Sequence, residues 1–282
     1  MHNSSQTPIC IYHHNCMDGF TSAWIVKQHF GENVEFYGGV HNDPPPDVTG
    51  RDVILVDFCY KADVMVDIVR KASHVTILDH HATAKNCIDA IYPLVKDKIT
   101  TVLDMSKSGA MITWEYYFPQ ETPPDFVRYV QDADLWLFKL PNSKEVLMNV
   151  ASYEYDFDNW SLMMQQDISS MALEGSAILR KHMKDVKELS QVNKRHMSIG
   201  GYSVPVINLP YTLVSDAASI ASQGNPFAAC YWDTPNGRVF GLRSQSNGID
   251  VSVIAEQYGG GGHKHASGFR VDYKDLERLG LQ

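Results

Sequence analysis

The feature that most constrains the fold is a short apolar segment followed at once by three residues of metal-binding type. Residues 75–78 (Val-Thr-Ile-Leu) predict a buried β-strand, and Asp79, His80 and His81 come directly after it. One carboxylate and two imidazoles suit a metal ion that takes mixed oxygen and nitrogen ligands. Taken alone, the same pattern also fits a surface turn after a strand.

Two further predicted strands end in the same way, which favours the metal site over the turn. Residues 8–12 lead into residues 13–19 (His-His-Asn-Cys-Met-Asp-Gly), and residues 52–56 lead into Asp57. In open α/β sheets, ligands bind outside the carboxyl ends of the strands. We therefore expect these three strand ends to converge on one site.

The order of the predicted elements indicates an α/β fold with a doubly wound parallel sheet. Strands alternate with helices in the first part of the chain: strands at 9–12, 34–37, 52–58 and 75–78, and helices at 19–30 and 61–72. The nearly continuous apolar run at 52–58 is typical of a parallel strand covered on both faces.

A long amphipathic helix is predicted at 168–196 and is expected to end at Gly200 and Gly201. Further strands and helices are predicted after it: strands at 202–209 and 269–271, helices at 215–222 and 250–258, and a hairpin over 227–243. The predicted organisation is a catalytic domain at 1–165, a connecting helix at 166–199 and a smaller α/β substrate-binding domain at 200–282.

Two aspartates near position 130 lie in an otherwise apolar segment, residues 126–138. Asp132 and Asp134 would be unfavourable there unless they are paired or bind a cation. The aromatic residues that follow, Trp136 and Phe138, are interpreted as core. Upstream, either Ser106 or Ser108 could cap a helix that runs to about residue 118.

The C-terminal part contains a run of four glycines followed by basic residues. Glycines let a backbone approach a ligand closely and direct its amides at an anion. The candidate substrate-binding residues are these glycines and the donors near them: Gly260, Gly261, Gly262, His263, Lys264 and Arg243. A flexible loop between a helix and a strand is the alternative interpretation.

Composition narrows the class of partner. Residues 1–167 carry 12 Lys and Arg residues against 23 Asp and Glu residues, so no basic face for long nucleic acid is visible. The five cysteines are scattered and form no Cys-x-x-Cys pair, which predicts reduced thiols and a cytoplasmic protein. No signal peptide and no membrane span is expected.

Taken together, these motifs resemble those of the DHH phosphoesterase superfamily, in its branch with a DHH-associated C-terminal domain. The resemblance covers nearly the whole chain, and its motifs follow in order: His14-Asn15-Cys16-Met17-Asp18-Gly19, Asp57, Asp79-His80-His81, Asp132-Ala133-Asp134 and Gly260–Gly268. In the fourth motif Asp134 is preferred over Asp132, because an apolar run follows it directly.

The resemblance implies a Rossmann-like catalytic domain that binds one or two divalent metals, usually Mn²⁺, with Mg²⁺ or another metal as an alternative. It implies Asp57 as the bridging ligand with His14 on one metal, and Asp18, His80 and Asp134 on the other. It also implies that His81 faces the substrate phosphate, while Arg243 and the glycine motif bind a distal phosphate or nucleotide. Cys16 departs from the family pattern, which has an aspartate ligand at this position. Since a thiolate matches Mn²⁺ poorly, the first metal could be weaker or of another kind, or activity could be lost.

The predicted function is metal-dependent hydrolysis of short oligonucleotides or small nucleotides. The alternatives are a bisphosphonucleotide phosphatase, a polyphosphatase, a single-strand exonuclease and a nucleotide-binding protein with weakened catalysis. No long duplex nucleic acid and no membrane is expected as a partner, and a homodimer is possible.

Overall fold

The computed structural model describes residues 6–41 and 43–282. The chain divides into two compact units, with the boundary between Leu179 and Arg180. A single long helix, Ile168–Asn193, contains this boundary. The three-part division proposed from the sequence, at 165 and 199, stays a prediction.

The first unit is built on a five-stranded sheet in which every pairing is parallel, as the sequence predicted. Its strands are β1 (Ile9–His13), β2 (Glu35–Gly39), β3 (Asp52–Val56), β4 (His74–Asp79) and β5 (Ile99–Leu103), in the order β2-β1-β3-β4-β5. The helices that connect and follow them are α1 (Met17–Phe30), α2 (Ala62–Lys71), α3 (Ala82–Val95), α4 (Gly109–Tyr117), α5 (Asp125–Asp134), α6 (Ser143–Val150) and α7 (Phe157–Met163), and α8 is the long helix that contains the boundary.

The sheet is buried on both faces, because successive side chains of each strand enter different clusters. In β1, Ile9 and Ile11 join the cluster formed with α2 and α3, whereas Cys10 joins the cluster formed with α1. Side chains of a strand alternate between faces, so a doubly covered sheet needs apolar residues at every position.

The strand order places a topological switch point between β1 and β3. The chain leaves β1 towards β2 on one side and continues from β3 towards β4 and β5 on the other. In doubly wound sheets the ligand crevice lies at this point, outside the carboxyl ends of the two strands. β1 ends at His13 and β3 is followed directly by Asp57, so both border this crevice.

The second unit contains a mixed six-stranded sheet in the order β10-β11-β9-β8-β7-β6. The strands are β6 (Lys194–Ile199), β7 (Tyr202–Asn208), β8 (Ala228–Thr234), β9 (Gly237–Arg243), β10 (Gly261–His263) and β11 (Ala266–Val271), and the helices after α8 are α9 (Val214–Ala221), α10 (Val251–Glu256) and α11 (Tyr273–Leu276). Only β7 and β8 pair in parallel among the described strands of this sheet. The predicted α/β fold class of the second, smaller part of the chain is confirmed.

One predicted boundary in this region is wrong. The long helix ends at Asn193, and residues 194–199 form β6, which pairs antiparallel with β7. Gly200 and Gly201 are the turn of this hairpin, with φ values of 57° and 83°. Two successive residues of positive φ are what a tight two-residue hairpin turn requires, so the glycines close a hairpin rather than a helix.

No helix in the described part of the chain is long and apolar enough to cross a bilayer. All five cysteines are free.

Candidate metal centre

Asp57 occupies the switch point in a conformation that L-residues rarely adopt. Its φ is 53°, and its backbone N–H donates to the Leu78 carbonyl at 2.9 Å. The side chain is buried, and its two oxygens face different partners. Oδ1 lies 3.1 Å from His80 Nε2, while Oδ2 lies 3.5 Å from His13 Nδ1 and accepts from the Cys16 thiol at 3.4 Å. Left-handed backbone at a non-glycine residue is unfavourable and concentrates at functional sites.

Three carboxylates converge on one nitrogen of His80. His80 Nε2 lies 3.1 Å from Asp57 Oδ1, 3.4 Å from Asp134 Oδ2 and 3.8 Å from Asp18 Oδ2. Burial acts to lower the pKa of His80, but its hydrogen bond to Asp57 and the charges of Asp134 and Asp18 raise it to about 10. The site therefore concentrates more negative charge than one imidazolium can neutralise.

The carboxylates of Asp18, Asp57 and Asp134 together with His80 are called the metal centre below. The first turn of α4 holds Asp18 in this centre. Its Oδ2 accepts from the Gly109 N–H at 2.6 Å, and its Oδ1 accepts from the Ala110 N–H at 3.0 Å. Burial, together with the charges of Asp57 and Asp134, raises the pKa of Asp18 well above its usual range. A cation at this point would restore the ionised form.

Gly109 is required by this close approach. A Cβ at this position would lie 2.6 Å from the Asp57 Cβ and 2.9 Å from Asp18 Oδ2. Ser108 caps α4, since its hydroxyl accepts from the Met111 N–H at 3.3 Å. Of the two predicted caps, Ser108 is therefore the one used.

Asp79 orients the two histidines that follow it. Its Oδ1 accepts from the backbone N–H groups of His80 and His81 at 2.6 and 3.0 Å, and it lies 2.7 Å from His81 Nδ1. Burial acts to lower the pKa of His81, but the hydrogen bond to Asp79 and its charge raise it to about 9. Asp79 Oδ2 is buried without a hydrogen-bond partner among the described residues.

The first motif places His13, rather than His14, in the centre. His13, Cys16 and Asp57 offer ligand atoms within 4.8 Å of one another. The His14 side chain is exposed, and its Nδ1 lies beside Gly38. The physical reason is that side chains of a strand alternate between its two faces. His13 lies on the same face of β1 as Ile9 and Ile11, whereas His14 begins the turn that comes after the strand. The structure thus does not bring the predicted ligand His14 together with the others.

The fourth motif separates its two aspartates. Asp134 joins Asp18 and His80 in a second group whose ligand atoms lie within 4.8 Å. Asp132 instead accepts the N–H groups of Lys139 and Leu140 at 2.9 and 3.2 Å. The geometry brings Asp134 into the centre, and Asp132 holds the segment that follows it.

The residues present fit a divalent cation. Asp134 Oδ2 is buried and lies 3.4 Å from His80 without forming a hydrogen bond to any described residue. Burial raises the pKa of Asp134 to about 6. Buried carboxylate oxygens without donors are unfavourable unless a cation pairs with them. Oxygen and imidazole ligands suit Mn²⁺ or Mg²⁺, and the Cys16 thiol is the soft ligand of the set.

In the second unit, the structure places Arg243 beside the glycine motif. Arg243 ends β9 opposite Ala266 of β11, and β11 pairs with β10. Its guanidinium donates to the Leu242 carbonyl and to Ser215 Oγ, both at 2.8 Å, while its Nε is buried without an acceptor among the described residues. This unused donor suits an anion.

The glycine motif is a hairpin and not a flexible loop. A Cβ on Gly260 would lie 2.1 Å from the Gly268 carbonyl oxygen, and one on Gly262 would lie 2.7 Å from the Ala266 carbonyl oxygen. The Lys264 carbonyl accepts from the Val251 N–H at 2.8 Å. Close packing therefore explains these two glycines, and an anion-binding role for the motif stays a prediction.

Known proteins resemble this chain over nearly its whole length. It is 29% identical over 296 residues to the uncharacterized protein R106 of Acanthamoeba polyphaga mimivirus, and the match covers 94% of this chain and 68% of that protein. It is 23% identical over 294 residues to the oligoribonuclease NrnB of Bacillus subtilis (strain 168), covering 93% of this chain and 72% of that enzyme. No protein-family model matches the chain.

The fold is shared with RecJ of Thermus thermophilus, solved in complex with Mn²⁺. The superposition has a TM-score of 0.55 at 14% identity and covers 98% of this chain and 51% of RecJ. The four N-terminal motifs thus meet at the switch point of a RecJ-like fold. The chain thus shares its fold with RecJ, and its motifs resemble those of the DHH superfamily.

Two residues of the candidate metal centre were not predicted from the sequence. Gly109 lies at the start of a helix where nothing in the local sequence indicates contact with Asp18 and Asp57. His13 carried a usable signal, since its alternation with Ile9 and Ile11 assigns it to the buried face of β1.

Proposed function

We propose that this chain is a metal-dependent phosphodiesterase that hydrolyses short oligonucleotides. The observation that carries the proposal is the convergence of Asp18, Asp57 and Asp134 on His80 Nε2, within 3.8 Å. Phosphoryl transfer needs positive charge at the phosphate oxygens, and a buried carboxylate cluster is how proteins hold the cations that provide it. The similarity to an oligoribonuclease over 93% of the chain supports the substrate class.

The two oxygens of Asp57 support a centre for two ions. Oδ1 faces the group formed with His80, Asp18 and Asp134, whereas Oδ2 faces His13 and Cys16. Asp57 would thus be shared between the two groups. When bound, divalent cations supply Lewis-acid polarisation and neutralise charge on the attacking and leaving oxygens.

His81 is the candidate proton donor. Asp79 fixes its ring through Nδ1 at 2.7 Å, and its pKa of about 9 keeps the ring protonated at neutral pH. Its position as the residue before α3 also puts it at a helix N-terminus, where backbone amides favour anions. A protonated His81 would hydrogen-bond a phosphate oxygen or protonate the leaving oxygen.

The acidic charge of the first half of the chain favours short substrates over long ones. The excess of acidic residues in the first half disfavours many phosphate contacts, which dominate the affinity for long nucleic acids. Arg243, with its unused Nε, is proposed to bind a phosphate or nucleotide other than the one that is cleaved. Together these features favour dinucleotides to tetranucleotides.

The proposal includes Mn²⁺ as the preferred ion, a reducing cytoplasmic compartment and the possibility of a homodimer. Oxygen and nitrogen ligands support the ion. The five free cysteines support the compartment. Size measurement of the purified protein by light scattering decides the oligomeric state.

A hydrolysis panel tests the proposal. The purified chain is incubated with Mn²⁺ and, separately, a dinucleotide, a tetranucleotide, a long single strand, a 3′,5′-bisphosphonucleotide, polyphosphate and a cyclic dinucleotide. We expect the dinucleotide and tetranucleotide to be cleaved fastest, with no cleavage after chelation. Faster release from the bisphosphonucleotide or polyphosphate would replace the proposal with one of those activities. Binding of nucleotides without turnover would favour the alternative in which Cys16 has weakened catalysis.

A further inference from the structure

The segment that follows Asp134 presents an exposed aromatic ring, Trp136, next to a partly buried one, Phe138. The sequence predicted Trp136 and Phe138 to be core, but the Trp136 side chain is 48% exposed and that of its neighbour Leu137 is 45% exposed. The Trp136 and Phe138 rings contact each other edge to face, with centroids 4.8 Å apart. An exposed tryptophan that contacts a partly exposed phenylalanine is not explained by packing of the core and indicates a binding surface.

The backbone of this segment is held in an unfavourable conformation. Trp136 has a φ of 56° and Phe138 a φ of 47°, in the left-handed region that bulky residues avoid. Such conformations persist only where surrounding contacts impose them, and they concentrate at ligand-binding sites.

Asp132 imposes this conformation. Its backbone carbonyl accepts from the N–H groups of Leu137 and Phe138 at 2.8 and 3.2 Å. Its carboxylate accepts from Lys139 and Leu140 at 2.9 and 3.2 Å. These four hydrogen bonds close residues 137–140 around Asp132.

The segment lies next to the metal centre in the chain. Asp134, whose Oδ2 is 3.4 Å from His80 Nε2, is only two residues before Trp136. Consecutive Cα atoms are about 3.8 Å apart, so the Trp136 backbone lies within about 8 Å of the Asp134 backbone. A ligand with a phosphate at the centre is therefore within reach of the Trp136 ring.

The charge of the segment suits an anionic ligand. Residues 135–144 contain Lys139 and Lys144 and no acidic residue, in a half of the chain that is otherwise acidic. Lys144 Nζ lies 4.9 Å from the centroid of the Phe138 ring. A cavity of about 360 Å³ adjoins the segment and is lined in part by Leu137 and Leu140. Exposed aromatic faces beside lysines are the combination that binds single-stranded nucleotides.

We propose that Trp136 and Phe138 form a stacking surface for a nucleobase of the substrate, and that Asp132 is the positioning residue that holds this surface. The inference rests on the proposed function, since it identifies which part of a short oligonucleotide the protein recognises. Stacking contacts the base face, which all bases share, so the surface favours nucleotides over other phosphoesters without selecting a sequence.

The test compares substrates with and without a base. The values of kcat/KM with Mn²⁺ are measured for a diadenylate and for two analogues in which the base of one nucleotide, 5′ or 3′, is replaced by hydrogen. The variants are Trp136→Ala, Trp136→Phe, Phe138→Ala and Asp132→Asn. The control is Tyr92→Ala, because Tyr92 is 49% exposed and lies near the far end of α3, away from His81.

We expect Trp136→Ala to lower kcat/KM for the diadenylate by about 5- to 150-fold, the range for loss of one base–aromatic stack. The same variant should cleave one of the two abasic analogues as well as the wild type does. Trp136→Phe should retain most of the diadenylate activity. Asp132→Asn should show the same selective loss as Trp136→Ala. If Asp132 had a purely structural role, its replacement would lower kcat/KM for all three substrates by the same factor. Tyr92→Ala should change none of them.

Equal effects of Trp136→Ala on all three substrates, or no effect on any, would overturn the stacking surface and leave the proposed function standing. If the wild type cleaves none of the substrates, the proposed function fails and binding decides the inference separately. A diadenylate carrying 2-aminopurine should then lose fluorescence on binding to the wild type and to Tyr92→Ala but not to Trp136→Ala. Equal quenching by all three proteins would overturn the inference.

Discussion

His80 is the residue on which the centre depends, because its Nε2 faces three carboxylate oxygens within 3.8 Å. The backbone around it is specialised as well, with φ of 53° at both Asp57 and Asn15. Positive φ at these two positions turns the chain sharply after β3 and β1, so the functional side chains point into the crevice. Residue chemistry and local backbone thus act together at the switch point.

Replacement of Cys16 by aspartate is expected to tighten Mn²⁺ binding. Burial, with the charges of Asp57, Asp134 and Asp18, raises the pKa of the Cys16 thiol well above its usual range, so it remains a neutral thiol without metal. An oxygen ligand suits Mn²⁺ better than sulfur does, and changes beside a metal shift its affinity about 10- to 100-fold. Calorimetric titration with Mn²⁺ measures the change. Loss of turnover in Cys16→Ser with unchanged metal content would instead assign Cys16 a role in the chemistry.

Metal binding is expected to release protons and to strengthen as the pH rises. Without metal the pKa of His80 is about 10, so its ring is protonated at neutral pH. A raised pKa means that the proton is held below that pH, and an imidazole ligates metal only when neutral. The apparent Mn²⁺ affinity should therefore increase with pH up to about the pKa of His80. Titration calorimetry in two buffers of different ionisation enthalpy measures the protons released, and a release of none would contradict the assignment of His80 as a ligand.

Among the elements, the first turn of α4 joins the strands to the metal centre. Its Gly109 and Ala110 amides donate to Asp18, which lies on α1. An N-terminal turn supplies N–H groups that have no partner within the helix, and here a carboxylate takes two of them. α4 therefore fixes the distance between α1 and Asp57, and it does so because residue 109 has no side chain.

Gly109→Ala is expected to lower activity about 100-fold, since a displacement of about 1 Å at a catalytic group can have this effect. The added Cβ would lie 2.6 Å from the Asp57 Cβ, so α4 or Asp57 must move. The kcat of the variant and its Tm are measured together. Gly201→Ala is the control: it strains a turn with φ of 83° but meets no described atom within 4 Å, so it should lower Tm and leave kcat unchanged. Full activity in Gly109→Ala would show that the packing at this turn is not needed.

The elements differ in how well the sequence predicted them. The sequence predicted β1, β3, β4 and α1, because the apolar pattern that identifies each of them lies within its own residues. α3 was not, since Pro93 lies inside it, and β5 was not, since Ile99–Leu103 is only partly buried. At the site, Asp18, Asp57, His80 and Asp134 meet as the motifs indicated. The need for glycine at position 109 could not be predicted, because the atoms that a Cβ would meet belong to Asp18 and Asp57, which are far away in the sequence.

At the scale of the whole molecule, the two units carry candidate binding groups of opposite charge. The carboxylates of the first unit need cations, while in the second unit Arg243 keeps an Nε donor that no described residue uses. Burial lowers the pKa of Arg243, yet the guanidinium remains charged because its usual pKa is far above neutrality. A buried charge with a free donor is costly to maintain unless a ligand uses it.

Arg243→Ala is expected to lower kcat/KM for a dinucleotide by roughly 10- to 100-fold, the loss of one charged hydrogen bond. A generic chromogenic phosphodiester, which lacks a second nucleotide, should lose much less. Arg238→Ala is the matched control, because Arg238 lies on the same strand but pairs with Asp233 at 2.8 Å. Equal losses on both substrates would rule out a role in recognising the part of the ligand that is not cleaved.

The most direct test of a metal-dependent phosphodiesterase compares the wild type with Asp134→Asn. The rate of Mn²⁺-dependent dinucleotide cleavage and the amount of bound metal are measured on the same samples. Asp134 Oδ2 is buried 3.4 Å from His80 Nε2 and accepts no hydrogen bond from the described residues, so the carboxylate is expected to bind the cation. We expect mononucleotide products from the wild type, and loss of both the products and a bound ion from the variant, while Arg238→Ala retains both. Cleavage by Asp134→Asn at the wild-type rate, or a wild type that binds Mn²⁺ and leaves the dinucleotide intact, would contradict a metal-dependent phosphodiesterase at this centre.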